Sequence, residues 1–349
     1  MRRLVVSAFL AVLVGCGGGS SPLDNALNDV FDAAKAEGAN CVVVERGGDV
    51  VGEWRDADFA EGALQEGFST TKSLAATLVG IAQDEGALSI DDPASRFITE
   101  WKGTESESVT IRQLLSNTSG RYFDVLSDYA RLAFLEQDKS GYAISLGQSS
   151  TPGETWVYNN AAVQTLEVVL ERATGMPVDE FARTRLFEPL GMTSRLSTDA
   201  FGNQGLFAGM QTNCMDLARL VRLYLNEGKA GDRQVISAAY VAEALRSSSE
   251  LNSGYGFLWW LNEPGRIVRA DSSGTSSGES LLPEAPEDVF WASGACGQVA
   301  MGFPADDLVI TLMRPVDVSG ISALAGCGGE GAEKVVVEAQ ASLTGLFDK

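Results

Sequence analysis

Strand-forming runs gather at the two ends of this chain and are scarce between them. Cys41 to Glu45 and Val50 to Trp54 are rich in β-branched residues, and Arg46-Gly47-Gly48-Asp49 between them is a hairpin signal. Phe257 to Leu261, Ile267 to Ala270, Val289 to Ala292, Gln298 to Phe303 and Leu308 to Met313 have the same character. The middle is patterned for helix: Ser69 to about Gln83, closed by Gly86; Ala161 to Arg172, closed by Gly175; Val178 to Leu186; and Met215 to Leu225. Helices are also expected over Asp24 to Lys35 and from about Glu333 to Phe347. This order predicts one sheet completed by both chain ends, plus a mainly helical subdomain. The polar, Gly/Pro-rich stretch from Asp271 to Pro286 is expected to be a loop.

The first 15 residues read as an export signal, with Arg2 and Arg3 followed by the apolar run Leu4 to Val14, too short to span a bilayer. The run ends in Gly15-Cys16, and residues 16–23 are a Gly/Ser-rich tether. This resembles a bacterial lipoprotein signal, which implies lipidation of Cys16, a membrane anchor and a place in the cell envelope. Residues 24–349 are then the working domain. Cys41, Cys214, Cys296 and Cys327 remain, enough for two disulfides in an oxidising compartment, with three possible pairings. A formal charge of −21 disfavours nucleic acid as a partner, because such a surface repels phosphate.

The chain contains no histidine. Ser-His-Asp and Cys-His catalysis are therefore excluded, and any hydrolytic base must be another group. Ser69-Thr70-Thr71-Lys72 opens the long helix, and a spacing of three puts hydroxyl and amine on one helical face. At a helix N-terminus the unpaired N–H groups and positive dipole end favour an oxyanion. A lysine followed by Leu74, Leu78 and Ile81 is disfavoured as a cation by desolvation, which leaves an amine able to take the serine proton. Tyr158-Asn159-Asn160 adds a phenol that can pass a proton and an amide, Asn160, that can hold the lysine or a substrate carbonyl. Ala292-Ser293-Gly294-Ala295 is a small-residue strand edge where the Ala295 N–H, with that of Ser69, makes a two-donor oxyanion hole.

In this order Ser-x-x-Lys, Tyr-x-Asn and the small glycine-containing strand resemble the penicillin-binding-protein and class C β-lactamase superfamily. Leu114 to Gly120, Gly86 to Pro93, Phe187 to Met192, and Tyr255 to Trp260 with Gly294 to Gln298 extend the resemblance over residues 24–349. The last group is most similar to the esterase and aminohexanoate-oligomer hydrolase branch. The resemblance implies an α/β (α+β) fold with an antiparallel sheet flanked by helices and an inserted helical subdomain over roughly residues 85–200. It implies an acyl-enzyme on Ser69, with Lys72 and Tyr158 sharing the proton transfers and the order of base and acid left open. Tyr122, Trp156, Trp259 and Trp260 are candidate pocket aromatics, and Ser293 and Gly294 candidate substrate contacts.

One departure bears on substrate. Where β-lactamases carry lysine, this chain has Ala292, which weakens recognition of a substrate carboxylate unless Arg121 or another cation replaces it. Loss of one charge-assisted hydrogen bond costs roughly 1.5–3 kcal/mol. Small esters or amides are the favoured substrates; β-lactams or muropeptides are the alternative, and a non-catalytic envelope binding protein a third reading. No motif implies a metal or an organic cofactor.

Overall fold

The structure is a computed structural model that describes residues 21–270, 275–316 and 330–347. Its spine is a six-stranded sheet of β1 (Cys41–Arg46), β2 (Asp49–Arg55), β3 (Trp260–Leu261), β4 (Phe290–Gly294), β5 (Gln298–Phe303) and β6 (Leu308–Met313). The order is β2-β1-β6-β5-β4-β3, antiparallel throughout. Cys41 opposite Met313 sets the register that joins the N-terminal hairpin to the C-terminal meander. The sheet is thus closed in its middle by segments from the two ends of the chain.

Alternation along the strands divides two cores. Val42, Val44, Val299, Met301, Ile310 and Leu312 pack with Leu27, Val30, Val336 and Leu343 from the terminal helices α1 (Pro22–Ala36) and α5 (Glu330–Phe347). Val43, Ala292, Ala300 and Val309 point the other way, toward α2 (Thr70–Asp84) and α4 (Cys214–Leu225). A disulfide between Cys41 on β1 and Cys214, the first residue of α4, fastens that second layer to the sheet. Cys296 is disulfide-bonded as well, and Cys327 lies outside the described residues. The helical region beyond includes α3 (Asn160–Thr174) and a π-helical turn over Leu126–Leu135.

Several boundaries differ from the sequence expectation. Helix α1 starts at Pro22, inside the expected tether, because Ser21 and Asp24 form a reciprocal capping box. Phe257 and Leu258 are not in a strand: Leu258 takes φ 56° and donates its N–H to the Leu115 carbonyl, so only Trp260 and Leu261 pair. Thr275–Glu279, within the expected loop, pairs with Gly265–Val268 in a separate two-stranded ribbon. Of these, only the Leu115 carbonyl lies far away in the chain; the capping box and the ribbon join neighbouring segments.

Candidate active site

The segment before α2 approaches as an extended strand, with the Gly67 N–H donating to the Met210 carbonyl at 2.8 Å. Phe68 then takes φ 46°, a left-handed conformation uncommon for a bulky side chain, and the helix begins. This sharp turn sets Ser69 at the N-cap of α2. A serine there usually bonds a backbone N–H of the first turn, yet Ser69 makes no such cap bond. Its hydroxyl meets Lys72 instead.

Lys72 Nζ donates to Ser69 Oγ at 2.9 Å and to the Phe207 carbonyl at 2.8 Å. The side chain is 1% exposed, on a helix whose residues from Thr70 to Ala82 are all buried. Burial lowers the amine to about 7, and the charge of Asp128 opposes that fall. The Tyr158 ring lies 4.7 Å from the amine, and its phenol shares a hydrogen bond with Ser69. Burial pushes that phenol above its ordinary value, with the charge of Tyr129 acting in the same direction, so Tyr158 holds its proton. Ser69 and Lys72 on the first turn of α2 and Tyr158 are therefore brought together.

Tyr158 is held by the start of α3. Asn159 caps that helix, its Oδ1 accepting from the Ala162 N–H, while its Nδ2 donates to the carbonyls of Arg121 and Tyr122. The Asn160 side chain donates to Asp128 Oδ2 at 2.8 Å, an acceptor on the π-helical turn that no sequence motif had marked. Trp260 stacks on Tyr158 at 5.7 Å between centroids, and Trp156 and Tyr255 complete the cluster. Trp259 belongs to the core instead, packed on Tyr224 and Phe290. Tyr122 is exposed, its hydroxyl donating to Asp124 at 2.8 Å.

Strand β4 passes the nucleophile segment closely. A Cβ on Gly294 would lie 2.3 Å from the Gly67 carbonyl oxygen, so only glycine fits there. Ala295 follows, itself exposed, in the turn between β4 and β5, outside the strand expected for it. Alternation turns Ser293 to the opposite face from Ala292, where its hydroxyl donates to Glu333 of α5 at 2.7 Å. Arg121 does not replace the missing cation at Ala292. Its guanidinium is buried over the Trp101 ring at 4.3 Å and donates to Ser106 and to the carbonyls of Ala143 and Ile144. There it lines a recess of about 880 Å³ with Trp101, Ser106, Gln148 and Arg172; Ser69, Lys72 and Tyr158 are not among the residues of its wall. Among the described residues, no cluster of acidic or sulfur side chains is arranged to hold a metal ion.

A sheet completed by both termini, with Ser-x-x-Lys on the first buried helix and a tyrosine facing it, defines the class. The chain belongs to the Beta-lactamase family, whose model matches residues 23–314. That places it in the β-lactamase and penicillin-binding-protein superfamily of serine hydrolases. It is 26% identical over 256 residues to the 6-aminohexanoate-dimer hydrolase of Paenarthrobacter ureafaciens, a match covering 64% of this chain and 65% of that protein. It is 32% identical over 142 residues to Esterase EstB of Burkholderia gladioli, covering 36% of each. The chain thus spans less than two thirds of the length of either relative. The fold matches the crystal structure of a penicillin-binding protein homolog from Caulobacter crescentus with a TM-score of 0.69 at 18% identity, covering 94% of this chain and 99% of that one.

Proposed function

We propose that the protein hydrolyses small esters or amides without an anionic recognition group, through an acyl-enzyme on Ser69. The observation that carries this is the buried Lys72 amine, 2.9 Å from Ser69 Oγ and titrating near 7. Neutral at mildly alkaline pH, it accepts the serine proton as Oγ attacks the carbonyl carbon. The directions of the two shifts divide the roles: Lys72 is the base, and Tyr158, which keeps its proton, is the donor that relays one to the leaving alcohol or amine. The N–H groups of Ser69 and Ala295 are the proposed oxyanion donors. Water then attacks the acyl-enzyme, with the neutral amine again as base.

The substrate class follows from what surrounds this centre. Ala292 carries no charge, the Ser293 hydroxyl is engaged by Glu333, and Arg121 is held in another layer, so none of the three is placed to take a substrate carboxylate. The segment that carries Asp128 and Tyr129 also presents exposed apolar side chains, those of Val125, Leu126 and Leu135. Both features support neutral esters or amides over β-lactams and muropeptides. The 1–15 signal pattern with Cys16 further supports export and a lipid anchor; palmitate labelling retained in Cys16→Ala would remove that reading.

Fluorophosphonate labelling followed by intact mass tests the nucleophile. One adduct is expected on the wild type and none on Ser69→Ala or Lys72→Met. An adduct persisting on Ser69→Ala, or faster turnover of a chromogenic cephalosporin than of p-nitrophenyl acetate, would overturn the proposal.

A further inference from the structure

Asp128 is 2% exposed, and both of its carboxylate oxygens are engaged at the start of α3. Oδ2 accepts from the Asn160 backbone N–H at 3.0 Å and from Asn160 Nδ2 at 2.8 Å, while Oδ1 accepts from the Ala161 N–H at 2.8 Å. These are the unpaired donors of a helix N-terminus, where a carboxylate is favoured by both hydrogen bonding and dipole. The carboxylate comes from the π-helical turn Leu126–Leu135, not from α3, so it does more than cap its own chain. It fixes the side chain of the third residue of the Tyr158-Asn159-Asn160 motif, and its negative charge acts on the buried Lys72 amine.

We propose that Asp128 is a positioning residue of the Ser69 site, orienting the Asn160 carboxamide and supplying the buried counter-charge of the Lys72 ammonium. The inference rests on the assignment of Ser69 and Lys72 above. Its physical content is a balance: burial drives the amine toward its neutral form, and the carboxylate restrains that drive. The ionisable groups that act on or touch Lys72 are Asp128 from the π-helical turn and Tyr158 from the start of α3, and Tyr129 and Tyr255 interact with Tyr158 in turn. The phenols of Tyr158 and Tyr255 are raised by burial and remain neutral, which leaves Asp128 as the group whose charge Lys72 feels. A buried charge at this point without a partner would be costly, and the two opposite charges lessen each other's penalty.

The test is the pH dependence of fluorophosphonate labelling in the full chain, which reads Ser69 activation without knowledge of the substrate. Wild-type labelling should rise through an acid limb near pH 7 as Lys72 loses its proton. In Asp128→Asn the ammonium loses its counter-charge, so the limb should move to lower pH. Its plateau rate should fall at least about tenfold, because a carboxamide keeps one acceptor oxygen for three N–H donors and turns an NH2 group toward the others, so Asn160 is no longer held in place. Asp128→Glu keeps the charge and should leave the limb in place with a reduced plateau. A limb that stays put in folded Asp128→Asn, with labelling scaled equally at every pH, would show a merely structural residue and overturn the inference. So would a shifted limb in Asp128→Glu, should Asp128→Asn fail to fold. Absence of wild-type labelling at Ser69 would instead strike the assignment of the nucleophile.

Discussion

Replacing Lys72 with methionine should abolish activity and yet stabilise the fold at neutral and acid pH. An amine that titrates near 7 rather than 10.5 has its charged form disfavoured in the folded state by about 5 kcal/mol. The sign follows from proton counts. Between pH 7 and 10.5 the unfolded chain retains a proton that the folded chain has released, so stability rises with pH across that window. Below pH 7 the penalty is present in full, and above 10.5 it has gone. Methionine has a similar length and no charge, so it removes the penalty. It also leaves the Phe207 carbonyl without the donor it has at 2.8 Å, which costs about 1–3 kcal/mol. The expected net gain at pH 6 is about 2–4 kcal/mol, a rise of a few degrees in melting temperature for a chain this long. Reversible urea unfolding of both proteins at pH 6 and pH 10 provides the comparison, and at the higher pH the gain should give way to a small loss, because only the cost at the Phe207 carbonyl remains. A methionine variant no more stable than the wild type at pH 6, or a gain independent of pH, would mean that the amine is not held dry.

Two further outcomes follow from the packing. Reduction of Cys41–Cys214, or its replacement by a pair of alanines, releases a closure spanning 173 residues and should cost about 5 kcal/mol in the chain-entropy account, read as a lower urea midpoint. Gly294→Ala places a methyl group against the Gly67 carbonyl, so β4 and the nucleophile segment must move apart; labelling of Ser69 should slow about a hundredfold while stability falls by only about 1–3 kcal/mol. Equal labelling rates for glycine and alanine at 294 would show that the close approach does not govern the site.

Much of the site was legible because its core is local. Ser69 and Lys72 share one helical turn, and the period of the helix alone brings their side chains together. The apolar residues after Lys72 announced a buried helix, and burial is what lowers the amine. The strands at the chain ends were legible for a related reason: their alternation and length are local properties, and no middle segment offered them better partners.

What neighbours each group across the fold was not written locally. Nothing in Ser-Asp-Tyr at 127–129 marks Asp128 as the acceptor for Asn160, and nothing near Phe207 marks its carbonyl as the second anchor of Lys72. Ser293 was read as a substrate contact from its motif, but the pleat turns it toward Glu333, 40 residues away in sequence. Arg121 follows Gly120 in the chain, yet its guanidinium is drawn to Trp101 and to carbonyls on a different segment. The residue types and their spacing along one helix determined that this chain sets a lysine amine beside a serine hydroxyl. Only the tertiary structure decided how dry that lysine is, which charge restrains it and which polar groups are already taken, because those depend on segments 40 to 135 residues away that approach only once the chain is folded.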